Sequence, residues 1–261
     1  MNQLQIIISY LKHQWSANNR HGIHSPFVYK FLDEVLYHDI KNPEYNQLRN
    51  LKRSLLKDSR TISITDLGAG STINKSPNRL VRDIAKNSSK PEKYVRLFFR
   101  MVNYFQPRSI IELGTSLGLS TIYFAKAQNT IPVHTLEGCP ETLAIAQENF
   151  GKLHLKNITG HLGDFNDTLP NVLKETSTAD LVFFDGNHRA EPTLNYFELC
   201  LKHMTDQSIF VFDDIHWSDE MHQAWEKIKG HPKTVVTLDL FFIGIVFFDA
   251  RLSPQHFKIR F

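Results

Sequence analysis

The chain has 261 residues, 41% of them apolar and 22% charged, which is enough for one large or two small folded domains. Lys plus Arg exceed Asp plus Glu by only 30 to 27, too little to point to a nucleic-acid partner, and the two cysteines, Cys139 and Cys200, exclude a disulfide framework and a cysteine-rich metal site. The longest apolar run, 240–248, falls far short of the ~20 residues of a membrane span, and no signal-peptide pattern opens the chain, so a soluble cytoplasmic protein without a membrane span is expected.

Leu4, Ile7, Ile8 and Leu11 recur at helical spacing and predict a helix over 3–15. After a polar break, Ser25-Pro26 supplies a cap and a first helical position for a second helix that turns Phe27, Phe31, Val35 and Leu36 inward. Residues 47–57 predict a further short helix. The run Ile62 to Ser71 carries Asp66, Gly68 and Gly70, but no apolar-periodic helix follows it, so it is expected to be a turn or lid rather than a cofactor loop. Lys86 to Lys90 reads as a polar connection. A helix over 91–105 follows, with Val95, Phe98, Phe99, Val102 and Phe105 on its apolar face, and Gln106-Pro107 ends it. The nineteen phenylalanines predict a bulky core.

From 109 the pattern alternates. Strands are predicted at 109–113, 133–137, 158–161, 180–184 and 208–212, and helices at 119–128, 140–149, 169–174, 191–203 and 218–229. Two closing runs, 234–239 and 241–248, are too close for a crossover helix and must be antiparallel. The expected architecture is α/β: a Rossmann-like, seven-stranded, mostly parallel sheet with an antiparallel last strand, helices on both faces, and an N-terminal helical cap. Residues 1–90 form the expected cap and substrate-selecting region, and 91–261 the expected cofactor-binding domain.

Ser109 to Ser120 is the chemically informative stretch. An apolar run ends at Glu112, a turn with Gly114 and Gly118 follows, and then a helix begins, which is how a helix N-terminus is offered to a ligand. The next strand ends in Glu137, placed where an acid meets a cofactor ribose. The glycines are spaced Gly114-x-x-x-Gly118 rather than G-x-G-x-x-G, so the tight diphosphate turn is absent and a cofactor without a diphosphate fits better.

This pattern resembles the class I S-adenosylmethionine-dependent methyltransferases, and Glu112 to Ser120 resembles their first motif in the form carried by the metal-dependent catechol and caffeoyl-CoA O-methyltransferases. The resemblance covers about 91–248. It implies S-adenosylmethionine as cofactor. Gly114, Thr115, Ser116 and Gly118 would shape the loop around its methionine part, with Glu112 and Ser120 beside the amino group. Glu137 and Gly138 would lie at the ribose, and Asp164 and Phe165 at the adenine. It also implies that Asp185, Asp213 and Asp214 hold Mg²⁺ or another divalent cation, with Asp185 also near the cofactor. Asp185-Gly186-Asn187-His188 is closer to related small-molecule and sugar methyltransferases. His188 is the first candidate for a general base and His216 the second.

The His21 to Phe27 element and the Gly68 to Ser71 segment are also similar to those of bacterial methyltransferase-like proteins. The function implied is methyl transfer to a hydroxyl of a small molecule. The alternatives are a metal-independent enzyme acting on an amine, and a non-catalytic protein that binds S-adenosylmethionine. The expected partners are the small-molecule acceptor and, as an open alternative to a monomer, a second copy of the chain. No nucleic acid is expected.

Overall fold

The computed structural model describes residues 3–38, 41–65 and 76–261. The Gly68 to Ser71 segment therefore lies outside the described residues. The chain forms two compact units, one joining 1–38 to 173–261 and the other spanning 39–172.

In the second unit, α3 (Glu44–Leu55) precedes a short antiparallel pair, β1 (Thr61–Ser63) and β2 (Asn78–Leu80). Then come α4 (Val81–Ser88) and α5 (Glu92–Phe105). The α4 segment corrects the polar connection expected at 86–90: Val81 and Ala85, four residues apart, bury one narrow face of an otherwise polar helix. Three parallel strands follow in the order β3 (Ile110–Leu113), β4 (Val133–Glu137) and β5 (Ile158–Leu162). They alternate with α6 (Leu119–Ala127), α7 (Pro140–Lys152) and α8 (Phe165–Thr176). Every residue of β3 is buried, Glu112 included, which explains why its apolar residues do not alternate with polar ones.

The first unit begins with α1 (Gln3–Ser16) and α2 (Pro26–Phe31). Ser25 caps α2 by accepting a bond from the Val28 amide, as its sequence predicts, and a π turn at Leu32–Leu36 extends the helix. The rest of the unit is β6 (Leu181–Phe184), α9 (Ala190–Leu201), β7 (Ile209–Asp213), α10 (Asp219–Lys229), β8 (Val236–Asp239), β9 (Ile243–Phe247) and β10 (Gln255–Lys258). Its strand order is β10-β8-β9-β7-β6. β9 is antiparallel to both β7 and β8, and β6 is parallel to β7.

The seven expected strands are present, including the antiparallel last pair. An eighth, β10, adds itself parallel to β8, so the mostly parallel sheet has eight strands. Thirteen of the nineteen phenylalanines are buried, as a bulky core requires. Phe184 and Phe212 stack at 4.4 Å between neighbouring strands, and Phe210 meets Phe248 edge-on at 4.7 Å. Among the described residues no helix is long and apolar enough to cross a membrane.

Candidate active site

The second unit carries the glycine loop. The chain leaves β3 and turns through three left-handed positions, Gly114 at φ 105°, Ser116 at φ 48° and Gly118 at φ 77°. Backbone bonds fix the turn: the Gly114 and Thr115 amides donate to the Leu136 carbonyl at 3.0 and 3.2 Å, and the Gly118 amide donates to Thr115. The buried Asn149 amide group holds the Leu117 carbonyl from α7 at 3.0 Å. Gly118 has a second constraint besides its φ. A Cβ there would strike the Phe150 ring and lie 3.1 Å from the Ala146 Cβ.

Glu137, at the tip of β4, receives this loop. Its carboxylate accepts from the Ser116 amide at 2.8 Å and from the Cys139 amide at 2.9 Å, and its own carbonyl accepts from the Gly163 amide at 2.9 Å. Ser116, Glu137 and Gly163 are thereby joined, with half-buried Gly138 following Glu137. Asp164 is half-buried. Its carboxylate accepts from the amide of Asn166 at 2.8 Å and from the Asn166 side chain at 2.7 Å, which fixes the start of α8 beside half-buried Phe165. The strand segment at 61–65 reaches the same region: the Thr65 amide donates to Cys139 Sγ, and the Ser63 amide to Glu141.

Glu112 is fully buried rather than presented at a surface. Ser120 donates to one carboxylate oxygen at 2.5 Å, Thr121 and Thr135 donate to the other, and Thr135 also bonds Thr115 at 2.6 Å. Burial pushes the Glu112 carboxyl up to about 7, against those three hydroxyl bonds and with help from the Glu137 charge. Sequence reasoning picked out Glu112, Thr115 and Ser120 but missed Thr121, Thr135 and Asn149. The one available signal was Thr135, a polar residue inside the apolar run of β4.

The first unit carries the reactive candidates. Asp185, His188 and Asp213 bring one potential ligand atom each within 4.8 Å of one another. His188 Nε2 stands 3.9 Å from Asp185. Asp213 ends β7 and is buried, while Asp185 and His188 are partly open. Asp214 belongs to none of the three-ligand groups among the described residues, and its backbone is left-handed at φ 54°.

His216 goes elsewhere: its Nε2 lies 2.8 Å from Asp239 at the end of β8, with His13 of α1 on the other carboxylate oxygen. Burial raises the Asp239 carboxyl, but the His216 bond and charge, the Phe241 amide and His13 outweigh it and hold it below the usual carboxylate range. Burial in turn lowers His13, against the Asp239 charge. His24 is exposed.

Comparison with known proteins bears on the loop and on the acid group that follows β6 and β7. Residues 111–215 match a family model described as a methyltransferase domain. The catechol O-methyltransferase of Niastella koreensis is 31% identical over 116 residues, 42% of this chain and 50% of that protein. The uncharacterized protein R132 of Acanthamoeba polyphaga mimivirus is 37% identical over 65 residues, 24% of this chain and 27% of that one. The matched region thus spans half or less of these curated relatives.

Among solved structures, the O-methyltransferase from Bacillus cereus in complex with SAH has a TM-score of 0.56 at 18% identity, covering 85% of this chain and 97% of its own. Cofactor-bound Rv0187 from MTB has a TM-score of 0.58 at 18% identity, covering 87% and 98%. At these identities the structures establish the fold. Within that fold, residues 111–215 are the stretch that is similar to a methyltransferase domain.

Proposed function

We propose that the chain is an S-adenosylmethionine-dependent methyltransferase acting on a hydroxyl of a small molecule. The observation that carries this reading is the left-handed loop from Gly114 to Gly118, tied through the Ser116 amide to the Glu137 carboxylate. Such a loop suits the methionine part of the cofactor, and the acid at the next strand tip suits its ribose hydroxyls. Asp164 and Phe165 are assigned to the adenine. Glu112 acts indirectly: it ties β3 to the first turn of α6 and to β4, and so fixes the loop's shape.

The transferred methyl leaves a sulfonium that is already a good donor. The protein must align the acceptor oxygen opposite the departing sulfur, ~3 Å from the methyl carbon, and remove its proton. Asp185, His188 and Asp213 are the groups assigned to the acceptor. Two carboxylates and an imidazole in one cluster fit a divalent cation. When bound, such an ion would lower the pKa of the acceptor hydroxyl. His188 is the proposed base, and residues 1–90 are the proposed source of acceptor selectivity.

The test is a calorimetric titration with S-adenosylmethionine. The wild type should bind, and Glu137→Ala should bind at least about tenfold more weakly, since charge-assisted bonds contribute roughly 1.5–3 kcal/mol each. Equal affinity in the two proteins removes the ribose assignment. A screen of hydroxylated acceptors should then show turnover that His188→Ala loses while it still binds the cofactor. Cofactor binding without turnover on any acceptor would favour the non-catalytic reading.

A further inference from the structure

We propose that His13, His216 and Asp239 form a binding site for a divalent transition-metal ion of the zinc class. The site shares no residue with the Asp185, His188 and Asp213 group and does not depend on the reading of the chain as a methyltransferase.

Three distant segments supply it: α1, the turn after β7 and the last residue of β8. One ring nitrogen from each histidine and a carboxylate oxygen lie within 4.8 Å of one another. Ligands that share one ion at ~2.0–2.1 Å stand about 2.9 Å apart at a right angle and about 3.4 Å apart at the tetrahedral angle. In the structure His216 Nε2 lies 2.8 Å from Asp239 Oδ2, a hydrogen bond that a shared ion would replace, and His13 Nδ1 lies 3.6 Å from the other oxygen, Oδ1. The second distance is too long for a hydrogen bond but spans a shared ion comfortably.

The ring of His13 is already turned for this role. A carbonyl can only accept, so the contact of His13 Nε2 with the Ile259 carbonyl at 3.3 Å places the ring hydrogen on Nε2. Nδ1 then faces the carboxylate. A histidine that anchors its outer N–H on a backbone carbonyl and offers its inner nitrogen is the usual support of a metal ligand. Phe241 meets the His13 ring edge-on at 5.5 Å and stacks on the His216 ring at 5.1 Å, so both ring planes are held.

The His13 and Asp239 side chains are 5% exposed and that of His216 15%. A carboxylate this deep needs positive charge nearby. Two imidazoles and one carboxylate favour zinc or a neighbouring first-row ion over Mg²⁺ or Ca²⁺, which prefer all-oxygen shells. Three protein ligands leave a fourth position for water.

The experiment uses the full chain stripped with a chelator and reloaded with Zn²⁺ or Co²⁺. Elemental analysis should show one Zn²⁺ fewer per chain in His13→Gln than in the wild type, whether or not the Asp185 group also takes an ion. The affinity at this site should fall at least about tenfold in His216→Gln. On the wild type, where no variant has to fold, paramagnetic Co²⁺ should broaden the ring signals of both His13 and His216. Unchanged zinc content in His13→Gln overturns the proposal. So does Co²⁺ that broadens His188 or His222 while His13 and His216 stay sharp.

Discussion

Glu112 shows how a residue can stand out in a sequence while its surroundings stay hidden. It ends an apolar run, and that alone marks it. Its complete burial and its three hydroxyl partners arise only when β4 and α6 close on β3. Because burial raises its carboxyl from 4.5 to about 7, the folded chain holds that proton more tightly than the unfolded chain does. Stability contributed by this group is therefore full at low pH and is lost as pH rises from about 4.5 to about 7. Glu112→Gln should flatten this slope, so that its stability changes less between pH 5 and pH 8 than that of the wild type. Urea midpoints at pH 5 and pH 8 check it, and parallel behaviour of the two proteins would place the pH dependence elsewhere. Gly118 makes a steric counterpart. Its left-handed φ and the Phe150 ring leave no room for a methyl group, so Gly118→Ala should cost about 1–3 kcal/mol. Combining it with Phe150→Leu should recover part of that loss in thermal unfolding.

At the scale of elements, periodicity found α1 but not the face it buries. Leu4, Ile7, Ile8 and Leu11, the residues that reveal the helix in the sequence, are 65%, 55%, 43% and 60% exposed. The packed face runs through Tyr10 and His13, and Ala17, just past the helix, is buried as well. Tyr10 meets the rings of Phe241 and Phe242 at 5.1 and 5.8 Å. A substitution to Gln at Ile7 or Leu11 should therefore change stability by no more than about 0.5 kcal/mol, whereas Tyr10→Ala should cost about 1–3 kcal/mol, as measured by chemical denaturation. Other elements were legible for local reasons: Ser25-Pro26 announces α2, and short apolar runs announce β3, β6 and β7. α8 starts four residues before the predicted 169, because the bond that fixes its start, Asp164 to Asn166, is invisible in a hydrophobicity pattern. The acid at each strand tip could be read, but the choice of His188 rather than Asp214 as the third member of its cluster depends on side-chain directions that spacing does not encode.

At the scale of the whole molecule, β10 is the feature the sequence hid best. Gln255 to Lys258 is short, half exposed and preceded by Pro254, so it reads as a tail. It pairs with β8, and the next residue, Ile259, bridges Asn18 just beyond α1. Two backbone bonds between Asn18 and residues 258 and 260, and the Gln14 carbonyl and Tyr37 hydroxyl contacts of Arg260, complete a clasp. Deleting 255–261 should therefore free α1 as well, and limited proteolysis should cut near Ser16 first, while β3 to β5 stay protected. The clasp also sets an order of events during synthesis. The residues of α1 leave the ribosome more than two hundred residues ahead of Asp239, Phe241 and Ile259, against which they settle. Until those arrive the helix has no native place to dock, so a segment made well before them is secured only after them.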